Sequence, residues 1–538
     1  LTLGKKALYN EIKLFIPRVR SAERGNTNKE KEKWTKSLTL LWSAPETADS
    51  QRPPPSAKNG LKTLLLEKQN LPGGSATSFC RGRFEFEPSL HELASVGTKE
   101  KPDIVYNIFD GLGAKPDWRY EHNTFRAIVK GENGYDVKLS AGIEAFCDSM
   151  EKAVPGCREG VHALFDLVKK DNDALAYITE MKGKPNGLTM MFRHGDFMRV
   201  ASHSVEDVMK ALKIPEKARD ILCTYWGYLG VPTDELNCMH YLSMMNAYVV
   251  DGAAMPYKRS HELSLSLEKV LTDNGGEVWY NSPVTEFLYG DDGAVVGVVA
   301  NGEKLYAKEV ISNVIPNNVY NMSEQDKVPA EALKLANARE FGISVETVYL
   351  GLDCTKEELG INDYTVFVMK YANARKQYDE RKNGSLYIVN CLNEVIPDSS
   401  PKGTCTMFFT IPIFGEDLPD DLTPEQYKKY KNKIAKEFIE DYEKLMHMDI
   451  MSHIEEISVA TPVTFARYLG TPAGTIYGYK LSDWDNILGR ISCEKDEFNI
   501  KGLTFCGGHG TRGDGYSSSY INGQGAAKKV VKRLKGGN

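Results

Sequence analysis

Residues 60–78 read GLKTLLLEKQNLPGGSATS: a short, mostly apolar run at 61–66 stops at Glu67, and a Gly73-Gly74 pair follows among small polar residues. A continuous apolar run bounded by turn residues predicts a strand buried on both faces, the habit of a parallel sheet. SLTLLW at 37–42 predicts another strand. Further on, 84–93 alternates and then takes helical spacing, IVYNIF within 102–113 is strand-like, and 118–130 with 135–139 predicts a hairpin or two strands of a smaller sheet. From 141 to 229 the apolar spacing is helical, as at Val161, Leu164, Phe165 and Val168. Met190, Met191, Phe192, Phe197 and Met198 cluster in this block. Such a cluster is either core or a face for a long apolar substrate or a membrane surface.

The pattern then changes period. Residues 260–274 are amphipathic and end at Gly275-Gly276; strands are expected at 277–287, 295–300 and 306–313, with turns at Asp291-Asp292-Gly293 and Asn301-Gly302. Runs at 345–352, 386–389 and 404–413 predict a second sheet, and 424–446 a charged helix. At the end, a strand at 503–506 enters the glycine-dense stretch 507–515, and 517–535 reads as a helix with Ser517, Ser518 and Ser519 as natural N-caps. Such a helix start aims free N–H groups and the positive end of its dipole at an anion or an electron-rich ring.

The carboxylate at the end of the 61–66 run and the glycine turn after it are what the second strand of a dinucleotide-binding βαβ unit requires: an acceptor for ribose hydroxyls, and backbone N–H groups close to a pyrophosphate. The segment before it does not match. Residues 43–56, SAPETADSQRPPPS, stand where a glycine turn and a helix belong, yet Pro53, Pro54 and Pro55 cannot sit inside a helix and no G-x-G-x-x-G is present. Written as codons with TCN for serine and read two bases late, 42–56 permits Val-Gly-Ala-Gly-Asn-Gly-Gly-Leu-Thr-Ala-Ala-Ala-Ala-Leu. That is a glycine fingerprint opening an alanine-rich helix. A local frameshift closed near Ser56 is therefore expected; a natural but degenerate N-terminus is the other option. Residues 1–36 are polar and lysine-rich and read as a tail outside the fold. The chain begins at Leu1, so the true start is expected upstream.

Composition narrows the class. At 538 residues, two or three domains are expected. A net charge of −6 without a dominant basic block argues against nucleic acid as a partner. Ten scattered cysteines with no CxxC pair and no metal-ligand spacing point to buried free thiols in a reducing compartment, hence a cytoplasmic location and no metal. No apolar run approaches the roughly 20 residues that span a bilayer, and no signal peptide is visible.

Taken together, LLLEKQNLPGGSATSF, NSPVTEF, YAKEVISN and CGGHGTRGDGYSSSYINGQGAA resemble the flavin-dependent amine oxidase / phytoene desaturase superfamily, in its branch of phytoene desaturases, carotenoid isomerases and retinol saturases. The resemblance covers roughly residues 60–535. It implies an α/β fold: a Rossmann-like FAD-binding domain assembled from discontinuous segments (37–140, 276–330 and 491–538), a mainly helical cap at 141–275 and an inserted α+β substrate domain at 331–490. It implies FAD as cofactor, with Glu67 on the adenosine ribose and Gly73, Gly74, Ser75 and Ala76 along the pyrophosphate and flavin. Val284 would meet the adenine through its backbone, and Gly508, Asp514, Gly515 and the helix start at Ser517 would meet the ribityl chain and isoalloxazine. The segment Thr461-Pro462, Phe465, Arg467-Tyr468, Gly474, Tyr477-Gly478 resembles the substrate-side strip near the flavin. Arg467, Tyr468 and Tyr477 are the polar candidates for catalysis there, and a structural role serves each equally well. The implied function is flavin-dependent oxidoreduction of an apolar polyene by desaturation, saturation or isomerisation, with peripheral membrane contact as a further expectation. An amine oxidase and a non-catalytic lipid escort of the same fold are the alternatives.

Overall fold

The computed structural model describes residues 38–43, 61–131, 134–181, 184–510, 513 and 515–536. Its organising layer is a five-stranded parallel sheet in the order Glu277–Trp279, Lys62–Glu67, Leu38–Ser43, Glu309–Ser312, Leu503–Phe505. These strands come from three separated stretches of chain. Leu38–Ser43 lies at the centre, with Trp42 beside Leu66 and Ser43 beside Glu67. The expected strand at 37–42 thus forms, shifted by one residue, while the proline-rich segment after it lies outside the described residues.

The unbroken apolar run of the Lys62–Glu67 strand follows from burial on both faces. Leu64 and Leu66 pack with Val284, Phe287, Val298 and Val310 on one side. Leu65 packs on the other with Leu271, Ile311, Ala526 and Val530. The first side is covered by the antiparallel meander Val284–Tyr289, Val295–Ala300, Glu303–Tyr306. The second is covered by the helices Arg259–Asp273 and Tyr516–Leu534.

A seven-stranded mixed sheet forms the second body, in the order Ile454–Ala460, Ser344–Leu352, Cys405–Ile413, Leu386–Cys391, Thr365–Met369, Asn123–Val129, Tyr135–Ser140. The charged helix Pro424–Met446 lays Ile434, Ala435, Ile439 and Tyr442 on one face. Helices between Ile143 and Met245 cover the other, where Trp226, Tyr225 and Leu222 meet Phe125, Phe367 and Ile388.

Three expectations need correction. IVYNIF is part of a helix, Ile104–Leu112, ending at Gly113 in the left-handed conformation; Val105, Ile108 and Phe109 are its buried positions, a spacing of three and four rather than two. Residues 84–93 make a strand at Phe84–Phe86 and then no helix before Leu93–Ala94, because the Glu87 carboxylate accepts backbone N–H groups of Ser89 and Leu90 and closes a turn. The hairpin of Asn123–Val129 with Tyr135–Ser140 belongs to the edge of the larger sheet, and Trp118–Tyr120 joins a separate small sheet with Ala253–Pro256 and Leu93–Ala94.

Candidate functional site

The carboxyl ends of the parallel strands face the amino end of the last helix, as the strand order of an open α/β sheet dictates. Glu67 closes its strand fully buried; its Oε1 accepts the backbone N–H of Gln69 at 2.8 Å, and its carbonyl accepts that of Ser282. The turn after it is tight. Gly73 has φ of 107°, and a Cβ there would stand 2.0 Å from the carbonyl oxygen of Ala76, which the Ser264 hydroxyl already engages at 2.6 Å. Gly74 also has positive φ, and Ser75 and Ala76 are buried. Val284 opens the meander opposite Ala300 and is buried.

The third stretch meets the first directly. Gly515 precedes the helix Tyr516–Leu534 at φ 91°, with open space where a Cβ would stand. The Tyr516 hydroxyl donates to the carbonyl of Ser75 at 3.0 Å. Gly508 is buried in the turn Gly507–His509, and Asn522, one turn into the helix, donates to the Gly507 carbonyl at 2.8 Å. A Cβ on Gly507 would fall 1.6 Å from Asn313 Oδ1, so only glycine fits. Asp514 lies outside the described residues. The serines do not cap this helix: the N-cap position is Gly515, and Ser517 Oγ donates instead to the carbonyl of Ala94, tying the helix to the small sheet.

Two inner cavities open at this junction, of about 230 Å³ and about 80 Å³. Both are lined by Gly515, Tyr516, Ser517, Tyr228, Tyr248 and Tyr477. The first four N–H groups of an α-helix have no acceptor within it, so the helix start is the polar end of an otherwise aromatic and aliphatic chamber. Phe465 and Leu469, on the helix Pro462–Leu469, line the smaller cavity with Ser75. The chamber keeps Tyr477 and turns the other two polar candidates away: Arg467 and Tyr468 are exposed on that helix, with the guanidinium 5.7 Å from the tyrosine ring, and neither lines either cavity. Thr461 is buried at the start of the helix, where Tyr427 bonds its hydroxyl. Gly474 and Gly478 support the strip from behind: a Cβ on Gly474 would meet the Pro462 carbonyl at 2.0 Å, and Gly478 has positive φ.

The larger inner cavity shares Ile178 and Ile491 with an open groove of about 1030 Å³. At the groove the Met/Phe cluster divides. Met190 and Phe197 are buried, whereas Met191, Phe192 and Met198 are 57%, 81% and 49% exposed, beside Leu188 at 65%. The core reading holds for two members and fails for three.

Sequence reasoning missed the titratable groups of the chamber. His91 lines the smaller cavity, its ring 5.6 Å from that of Tyr228 and its Nε2 2.9 Å from Thr410 Oγ1, and burial pushes its imidazole down to about 4. Glu92 lines the smaller cavity and accepts the Tyr228 hydroxyl at 2.9 Å; burial pushes its carboxyl up to about 7. LHEL carries no motif, so nothing in the pattern marks these two. All ten cysteines are free thiols, eight of them buried. Asp353, Cys354 and His453, whose ligand atoms lie within 4.8 Å of one another, form the one metal-capable group among the described residues, far along the sheet from the chamber's strip.

No protein-family model matches the chain. It is 26% identical over 461 residues to all-trans-retinol 13,14-reductase of Danio rerio, covering 78% of this chain and 74% of the relative. It is 24% identical over 441 residues to the chloroplastic prolycopene isomerase of Daucus carota, with 78% and 68% covered. Among solved structures, cyclohexylamine oxidase from Brevibacterium oxydans superposes with a TM-score of 0.59 at 12% identity, over 93% of this chain and all of that one. The sequence relatives, the Rossmann-like sheet built from three separated stretches and the likeness to flavin oxidoreductases together match this chain to the flavin amine oxidase / phytoene desaturase superfamily.

Proposed function

We propose that this chain is an FAD-dependent oxidoreductase acting on the carbon–carbon double bonds of an apolar polyene. The observation that carries this is the chamber itself: a helix N-terminus and a glycine turn at one end, aromatic and aliphatic walls, and a continuous apolar groove leading outward. A flavin dinucleotide fits the donor set. Glu67 would take the ribose hydroxyls. Gly73, Gly74, Ser75 and Ala76 would lie along the pyrophosphate and ring, and Val284 would offer its backbone to the adenine. Gly508, Asp514, Gly515 and the helix start at Ser517 would meet the ribityl chain and isoalloxazine. Bound there, the flavin supplies two-electron hydride chemistry. The protein's own part would be to exclude water, line the polyene's site with Tyr228, Tyr248 and Tyr477, and manage protons.

The relatives named for retinol reduction and prolycopene isomerisation favour polyenes over amines, since the amine oxidase likeness is one of fold at 12% identity. Anaerobic mixing of reduced, flavin-loaded protein with all-trans-retinol should reoxidise the flavin and yield a product with a shortened chromophore, or an isomerised one without net reoxidation. Bleaching of oxidised flavin by cyclohexylamine or putrescine, with every polyene inert, would overturn the proposal.

The exposed Leu188, Met191, Phe192 and Met198 carry Lys184, Arg193 and Arg199 among them. Apolar side chains ringed by cations suit the surface of an anionic bilayer, from which a polyene would enter the groove. No helix among the described residues is long and apolar enough to cross a membrane. Burying each large side chain is worth about 1.5–3 kcal/mol. Met191→Ser with Phe192→Ser should therefore lower sedimentation with phosphatidylserine vesicles by about tenfold or more, leaving thermal stability unchanged. Equal binding by the variant would remove the membrane from the account.

A further inference from the structure

Glu92 and Glu121 hydrogen-bond each other between an inner and an outer cavity. Glu92 is 5% exposed, and Oε1 of the half-buried Glu121 is shielded from solvent. Burial raises the proton affinity of both carboxyls. Glu121 stands well above the usual carboxylate range through burial, the Glu92 charge and the hydrogen bond between them, while Glu92 is pushed up to about 7 by burial. Two carboxyls in contact cannot both ionise at neutral pH, so they share one proton.

Their positions give that proton two ends. Glu121 lines an outer cavity of about 280 Å³ together with His122, Lys138, Asp363 and Glu394, and His122 is exposed. Glu92 lines the smaller inner cavity and accepts the Tyr228 hydroxyl at 2.9 Å. Tyr228 in turn lines both inner cavities, against the helix start at Gly515–Ser517. Tyr225, Tyr248 and Tyr364 also face Glu92, all held neutral by burial, with Glu87 behind Tyr364; His91, whose ring lies 5.6 Å from that of Tyr228 in the same cavity, is held neutral by burial as well.

We propose that Tyr228 is the proton donor and acceptor of the reaction chamber, connected to solvent through Glu92 and Glu121. This rests on the polyene oxidoreductase reading above. In the direction of saturation, a two-electron-reduced flavin bound by the residues named above would supply a hydride, with its two electrons, to one alkene carbon. The neighbouring carbon receives H⁺ from the Tyr228 hydroxyl. The phenolate then recovers its proton from Glu92, Glu92 from Glu121, and Glu121 from the outer cavity, one proton per turnover. Desaturation runs the same relay outward. Tyr228 is the catalytic residue; Glu92 and Glu121 are positioning residues that act through it. A hydride step alone leaves an unbalanced charge on a carbon in an apolar chamber, and a tyrosine backed by a proton-sharing carboxyl pair removes it without admitting water.

Infrared titration of the full chain, without substrate, reads the pair directly. In the wild-type-minus-Glu92→Gln difference a protonated-carboxyl band should be present at pH 6 and be lost with a midpoint near 7, while the band of Glu121 survives above it; Glu87, Asp171, Asp251 and Glu346, also pushed up to about 7, cancel in that difference. On flavin-loaded protein with the first glycine turn restored, Tyr228→Phe should lower kcat by about 10²–10⁴-fold with KM within about twofold and the flavin spectrum kept. Glu121→Gln should flatten the wild-type pH profile, which falls through about 7 for saturation and rises through it for desaturation. Absence of that difference band at pH 6 overturns the relay whatever the activity, as does wild-type turnover that Tyr228→Phe leaves intact. A wild-type protein that turns over no polyene counts against the polyene reading alone, and the infrared titration still decides the pair.

Discussion

Protein made from the sequence as it stands is expected to purify without a stoichiometric flavin band, and the chain with its first glycine turn restored to purify yellow. The strand Leu38–Ser43 occupies the centre of the parallel sheet with Ser43 paired with Glu67, and in a dinucleotide fold the sequence following the central strand carries the glycine turn for the pyrophosphate. SAPETADSQRPPPS offers that position no glycine fingerprint, and its three consecutive prolines lack the N–H groups that would cradle a phosphate. The same codons read two bases late permit both the fingerprint and the helix. Sequencing the codons for Lys36 to Ala57 should show two compensating indels. Clean codons as printed, or a full flavin band from the unaltered chain, would refute the frameshift. The lipid-escort alternative gains only if the codons are clean and the flavin is absent.

The second large effect is on stability. Trp226 is fully buried where the helical block meets the seven-stranded sheet, and its indole N–H donates to Gln377 Oε1 at 2.5 Å. Trp226→Ala removes the ring and strands a buried amide oxygen, which should cost about 3–5 kcal/mol for the cavity and about 1–3 more for the unpaired acceptor. Trp226→Phe keeps most of the volume and should show the hydrogen-bond part alone. Urea melts of the two variants separate the contributions; equal losses would mean the indole N–H carries the contact. Since Gly227 and Tyr228 line the smaller cavity directly after this tryptophan, the alanine variant should also loosen the chamber.

Much of the fold was legible because local chemistry and tertiary context agreed. The run at 61–66, the meander with its Asp-Gly and Asn-Gly turns, and the glycine loop before the last helix all follow short-range rules that burial then reinforces. IVYNIF misled because its six residues suit a strand equally well, and only the packing of Val105, Ile108 and Phe109 on the small sheet decided for a helix. Ser517 looked like a cap and became a tie to Ala94, because that carbonyl was brought within 2.6 Å by a segment more than four hundred residues away.

By itself, then, the sequence determined the half proposed to hold the dinucleotide: an apolar strand, its terminal carboxylate and the glycines at 73, 74, 507, 508 and 515, since these are contiguous motifs whose backbone requirements are local. Only the tertiary structure decided the reaction half. It turned Arg467 and Tyr468 out to solvent and kept Tyr477. It split the Met/Phe cluster between core and surface, and set Glu92, Glu121 and Tyr228 in contact from three distant stretches. The reason is physical: a backbone cradle is written in neighbouring residues, whereas a chamber is the space left between elements, and which side chains face it depends on how those elements pack.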